Sequence, residues 1–182
     1  MVTSLQNAAL LQIALQLAAV RLTINLIRSD NMSFLKTWKQ MSSKPGGKRI
    51  FSIAASLKAP YFATIFPLVE ELAVGRGVVS FADRKTVHNH LGSVHAIAMC
   101  NSAELAAGLA TDCSVPKGMR WIPKSMTVNY VKIAKGRMTA TATVPKIEAG
   151  KAQDILTTVR VTNPEGVEVF NAQITMYVSA KS

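Results

Sequence analysis

An α+β fold with an N-terminal helical extension is what this chain of 182 residues predicts, and three observations lead there. Residues 94–110, VHAIAMCNSAELAAGLA, are apolar and small-sided on nearly every face, the pattern of a helix closely surrounded by other structure. Four segments with strand character follow it, at 121–133, 137–147, 153–162 and 167–179. The first 45 or so residues read as helix. Hairpin connections between the strands imply an antiparallel sheet, which must bury one face. The helix over 94–110 is the element that such a sheet should wrap.

Taken in order, residues 8–27, AALLQIALQLAAVRLTINLI, form a first long helix. Gln12, Gln16, Arg21 and Asn25 interrupt its apolar run, so it falls short of the ~18–20 residues a membrane span needs. Packing against the domain or a partner is the plain reading, and a weak contact with a membrane surface is the alternative. Ser29 or Asp30 can cap a second helix that ends near Met41, ahead of SKPGG at 43–47. A short helix at 50–58 stops before Pro60. LVEELAVGRGVVSFADR then gives two strands joined by a Gly-x-Gly turn. In the later strands Met138, Ala140, Ala142 and Val144 oppose Thr139, Thr141 and Thr143. Likewise Phe170, Ala172, Ile174, Met176 and Val178 oppose Asn171, Gln173, Thr175 and Tyr177. Pro164 and Gly166 occupy turn positions in the hairpin TNPEGVE. The division expected is an extension over 1–49 and one domain over 50–182.

Composition narrows the function. At 49% hydrophobic residues the chain has ample material for a core, which excludes a disordered protein. Its two cysteines, Cys100 and Cys113, lack a CxxC pair or metal-type spacing, so neither a disulfide framework nor a zinc site is expected, and a reducing, cytoplasmic setting is. The net charge of +11 attracts anions. No nucleic-acid motif accompanies that charge, and a nucleic-acid partner is not expected.

The chemistry concentrates in VHNHLGSVHAIAMCNSAELAAGLA, residues 87–110. Between Lys85 and Asp112, Glu104 is the only residue with a full charge at neutral pH. Burial of an unpaired carboxylate costs several kcal/mol or raises its pKa, so Glu104 either has a function or stands exposed or paired on a helix face. Ahead of it, Gly92 permits an unusual turn, and the helix start offers unpaired N–H groups that can hold an oxyanion. Asn89, that helix terminus and Glu104 together supply an orienter, an electrophile holder and a base or nucleophile for attack on an acyl group.

Asn89-x-x-Gly92-x-x-His95, followed nine residues later by Glu104, resembles the N-x-x-G-x-x-H-G-G…D/E signature of hotdog-fold acyl-CoA thioesterases of the phenylacetate-pathway (PaaI) type. PYFATIFPLVEEL, the 87–110 stretch and RWIPKSMTVNYVKIAKG are more similar still to a bacterial hotdog family of unassigned function. Over residues 50–179 this resemblance implies an antiparallel sheet of five or six strands wrapped around a long central helix. It also implies a homodimer or dimer of dimers with active sites at the interface. By position Glu104 would be the general base or nucleophile, Asn89 would orient water or the thioester, and the backbone N–H of Ala96 would polarise the carbonyl. His95 would shape the turn and contact the substrate.

The activity implied is hydrolysis of an acyl-CoA thioester to a carboxylic acid and free coenzyme A, with no metal or cofactor beyond the coenzyme A of the substrate. Lys117, Arg120, Lys124, Lys132 and Arg137 are candidates for its phosphates. Where the family has Gly-Gly after the histidine this chain has Ala96-Ile97, and that Cβ favours an alternative, a non-catalytic binder of acyl or other apolar ligands. A third reading is a hydroxyacyl dehydratase, from His90 fourteen residues before Glu104, although the Pro-Gly pair of those enzymes is replaced by Met99-Cys100. For His88 and His90 a hydrogen bond or packing at the strand end is the simpler role. Trp38 and Trp121 read as packing residues.

Overall fold

The computed structural model describes residues 34–181, together with 17–23 and Gln6, Leu10 and Ala14, which are helical. The proposed cap at Ser29 or Asp30 lies outside the described residues. From residue 34 onward the elements are α1 (Phe34–Met41), α2 (Gly47–Lys58), a 3₁₀ turn (Pro60–Ile65), β1 (Leu68–Ala73), β2 (Arg76–Phe81), a second 3₁₀ turn (Lys85–Val87), α3 (Ala96–Ser114), β3 (Met119–Tyr130), β4 (Met138–Thr143), β5 (Gln153–Thr162) and β6 (Glu168–Ala180).

All six strands join one antiparallel sheet in the order β1-β2-β4-β5-β6-β3. The sheet curls around α3, which touches every strand. Alternation dictates this: Met138, Ala140 and Ala142 of β4, and Phe170, Ala172, Ile174, Met176 and Val178 of β6, all point inward and are buried. Small residues let the two layers approach. Ala103, Ala106, Ala107 and Ala110 are fully buried on α3, and a Cβ added to Gly77 of β2 would lie 2.7 Å from the Ala106 carbonyl oxygen. A long helix wrapped by an antiparallel sheet is the hotdog arrangement.

Several boundaries differ from the sequence reading, each for a local reason. Val94 remains extended, its N–H bonded to Ala134 O, so α3 begins at Ala96. The helix runs on to Ser114 because the Thr111 and Ser114 hydroxyls bond back to Ala107 O and Ala110 O without breaking it. Cys113 therefore lies in the helix and not in its exit loop. β4 stops at Thr143: Val144 N–H still bonds Gly75 O, but Pro145 has no donor to continue the ladder. β3 ends at Tyr130, where the N–H groups of Val131 and Lys132 both turn to Val169 O.

The helices before the sheet pack on its β1 side and on α3. Phe51 is fully buried, with Phe34 and Trp38 edge-on at 6.2 and 5.2 Å between ring centroids. Ser52 Oγ accepts the N–H of Val69 at 2.8 Å, tying α2 to β1. Earlier in the chain, Thr23 is buried against Met41. None of the described helices is long and apolar enough to cross a membrane.

Candidate functional site

The segment leading into α3 is a self-contained turn. Asn89 accepts at Oδ1 from the N–H groups of Leu91 (2.9 Å) and Ser93 (3.2 Å), and its Nδ2 donates to Ser93 Oγ (2.9 Å). Gly92 takes φ +71 so that the chain can reverse within this turn, with its N–H on Asn89 O. The side chain of Asn89 is thus committed to holding the loop, a role the sequence reading did not assign to it.

His95 is the N-cap of α3. Its Nδ1 accepts from Ile97 N–H at 3.0 Å, and its carbonyl takes Ala98 N–H. One N–H of this helix start is left over: that of Ala96 donates to no group among the described residues. His88 bonds through Nε2 to Asp83 Oδ1, while Asp83 Oδ2 accepts Gly136 N–H at 2.7 Å. Burial works against the Asp83 charge, but the His88 bond, the Gly136 N–H and the nearby positive charges of His88 and Lys135 outweigh it and hold the carboxyl below its usual range. His88 therefore has the strand-end hydrogen bond expected of it. His90 is exposed on the turn.

Two cavities lie along one side of α3. The first, of about 330 Å³, sits beside the helix start between Tyr61, Thr64, Ile65, His88, His95 and Asn101. Asn101 is buried and donates through Nδ2 to Tyr61 O (3.2 Å) and Thr64 Oγ1 (3.1 Å), pinning the 3₁₀ turn onto the helix. A carbonyl can only accept, which fixes the amide nitrogen toward Tyr61 and leaves Oδ1 without a partner among the described residues.

The second cavity, of about 320 Å³, runs further down the helix under the N-terminal cap. Phe34, Ala55 and Phe62 roof it, Leu105, Gly108 and Leu109 form its helical wall, and Trp121 and Pro123 close it from β3. Glu104, Asp112 and Lys58 are the charged residues on its lining. Glu104 is exposed in the single chain and forms no hydrogen bond or ion pair among the described residues, so it is not the buried carboxylate that was one of the two readings of the sequence. Its helix position points it past the Ala-lined face and toward this chamber.

Asp112 and Trp121 are the residues that the sequence reading passed over. Trp121 donates Nε1–H to Asp112 Oδ1 at 3.3 Å, so it does more than pack. Burial pushes the Asp112 carboxyl above its ordinary value, although the indole bond and the charges of Lys58 and Lys181 oppose this. An acid in the last turn of a helix is itself a signal. With the helix expected to end at residue 110, Asp112 falls outside it in the sequence.

Cys100 lies 3.8 Å from the Tyr130 hydroxyl, and burial raises its thiol pKa. Cys113 is pushed up to about 12, also by burial. Neither has the lowered pKa of a reactive thiol.

The basic candidates are spread out. Lys124 is paired with Asp154 at 2.7 Å, and Arg137 donates to Ser80 Oγ at 3.1 Å. Lys117, Arg120 and Lys132 are exposed and without an ion pair among the described residues. Lys117 and Arg120 stand at one end of β3 and Lys132 beyond the other, roughly 36 Å apart at about 3.3 Å per strand residue. One chain does not bring all of them to one phosphate cluster.

The family described as a domain of unknown function, DUF4442, matches residues 47–178. A crystal structure of a genomics target, APC5556, is similar at 40% identity over 81% of this chain and 98% of that one, with a TM-score of 0.70. A thioesterase from Staphylococcus aureus, SAV0944, shares 21% identity over 66% of this chain and 99% of its own, at a TM-score of 0.59. Thioesterase HI1161 from Haemophilus influenzae shares 13% over 69% and 87%, at 0.61. The last two likenesses are of fold. No curated protein matches this chain.

Proposed function

The chain belongs to the DUF4442 family, and from that premise we propose that it is a thioesterase that hydrolyses acyl-CoA thioesters, with Glu104 as the catalytic carboxylate. The observation that carries this reading is the position of Glu104: a carboxylate without a partner among the described residues, on the lining of a largely apolar chamber that suits an acyl chain. Solved thioesterases with the same fold support it. Glu104 attacks the thioester carbonyl or takes a proton from water, and an N–H aimed at the developing oxyanion stabilises the transition state.

Ala96 N–H is the candidate for that second part, and distance decides how it acts. Ala96 and Glu104 are eight residues apart on one helix, about 12 Å at about 1.5 Å per residue. A single thioester needs both groups within hydrogen-bond reach of its reacting atoms, so the two cannot serve it from the same chain. The site is composite, with Glu104 of one copy facing Ala96 N–H of another. Support for a second copy comes from β3, an edge strand paired among the described residues with β6 alone, and from exposed apolar residues beside it and the helix start: Ile97, Tyr130, Val131 and Ile133. An antiparallel pairing of two β3 strands also brings Lys117 and Arg120 of one copy toward Lys132 of the other, a basic surface for the coenzyme A phosphates.

A binder without catalysis is the second reading, favoured by the methyl of Ala96 and the half-exposed Ile97 where the thioesterase signature has two glycines. Coenzyme A release measured over a series of straight-chain acyl-CoA thioesters separates the two. Release with saturation kinetics by a protein that light scattering finds to be at least dimeric is the expected result. Tight binding of the same thioesters without release selects the binder, and a stable monomer at micromolar concentration removes the composite site.

A further inference from the structure

Asp112 remains unexplained by the chemistry at Glu104. It stands in the last turn of α3, where the helix dipole disfavours a carboxylate, and no cation accompanies it in that turn. The side chain is half-buried. Among the described residues its one hydrogen bond is the 3.3 Å contact from Trp121, Oδ2 has no donor, and no cation comes within ion-pair distance. Burial and the dipole both act against this charge, yet it lines the same chamber as Glu104, eight residues away and so about 12 Å along the helix axis.

Trp121 also narrows the chamber between the two carboxylates, at Gly108, four residues from each. A Cβ on Gly108 would come within 3.1 Å of Trp121 Cη2, so the indole lies almost on the helix backbone.

Resting on the thioesterase reading, we propose that this chamber takes the acyl chain and that Asp112 and Trp121 select a chain carrying a terminal hydroxyl group about ten carbons from the thioester, the length that spans about 12 Å. The hydroxyl donates to Asp112 Oδ2 while Trp121 Nε1–H keeps Oδ1. A terminal ammonium would meet Lys58 on the same lining, and a terminal carboxylate would meet Asp112 itself. The neutral donor is the one that suits both charges. Burial raises the carboxyl pKa, consistent with a group that lacks a donor until the chain arrives.

The test is titration calorimetry on the full-length Glu104→Gln protein, which keeps the shape of the site and holds the thioester uncleaved. Decanoyl-CoA and ω-hydroxydecanoyl-CoA are the probes. The hydroxylated thioester is expected to bind ~10-fold or more tightly, the range for a hydrogen bond to a charged group. Adding Asp112→Leu should abolish or reverse that preference in a protein with an unchanged circular dichroism spectrum. If the leucine variant does not fold, Asp112→Asn should cut the preference several-fold, because a neutral acceptor makes the weaker bond. Equal binding of the two probes, no binding of either, or a preference that survives loss of the carboxylate overturns the proposal. Coenzyme A release by the unaltered chain is measured separately. A preference without release keeps the inference and removes the thioesterase reading, whereas release without a preference does the reverse.

Discussion

Asp83 and Asp112 are both half-buried, one beside the start of the central helix and the other in its last turn, and the fold treats them in opposite ways. Asp83 has a donor on each oxygen, His88 and Gly136 N–H, and its carboxyl is held low. Asp112 has one long bond from an indole, an unfavourable dipole and a raised carboxyl. The first end is a finished structural device, in which Asn89, Gly92, His95 and Asp83 fix the loop and leave the Ala96 N–H without an acceptor among the described residues. At the other end a charge is kept at a cost, facing a cavity. Satisfaction at one end and its lack at the other separate what holds the fold from what awaits a ligand.

The sharpest way to break this contrast is Ala96→Pro. Proline suits the first position of a helix, and His95 already has the extended backbone, φ −66 and ψ 139, that a following proline requires. The change replaces the unused N–H by ring carbons and breaks no hydrogen bond among the described residues. Thioester turnover should fall by ~10²–10³ while the melting temperature holds, the effect of losing one oxyanion donor. Unchanged turnover would return that N–H to the solvent.

Asp83→Asn comes next. It removes the charge from two hydrogen bonds in a part-buried site and should cost about 1.5–3 kcal/mol in denaturant unfolding. Because its folded value is lowered, the stability Asp83 gives is present above the unfolded value and is lost as pH falls through the folded one. The penalty of the substitution should therefore shrink in acid. An equal penalty at all pH values would mean that His88 is not its charge partner.

Asp112→Asn should have the smallest effect and the opposite sign. Relief of the dipole alone stabilises by about 0.3–1 kcal/mol. With the folded value raised, the cost of Asp112 is absent below the unfolded value and grows as pH rises through the folded one, so the gain should appear toward neutral pH. A loss of stability at neutral pH would make Asp112 a structural ion-pair member with Lys58.

The same contrast explains what the sequence made legible. The residue types of 87–110 and their resemblance to a thioesterase signature marked Asn89, Gly92, His95 and Glu104, and the turn and cap among them are local, with the partners of Asn89 and His95 within a few residues. The alternation of β4 and β6 likewise encodes a buried face directly. Asp112 could not be read in this way: its environment comes from Trp121 across a turn and from Lys58 on a helix far back in the chain. Asn101 was equally silent, since its donors engage Tyr61 and Thr64, some forty residues away in sequence.

Glu104 carries the central claim, and Glu104→Gln tests it with turnover and melting temperature measured on one preparation. The carboxylate is exposed and has no partner among the described residues, so its neutral isostere should leave the melting temperature unchanged. Thioester hydrolysis should drop by ~10²–10⁴, the range for loss of a positioned base. Hydrolysis at the rate of the unaltered protein would contradict the account and leave Glu104 as a solvated residue on a helix face.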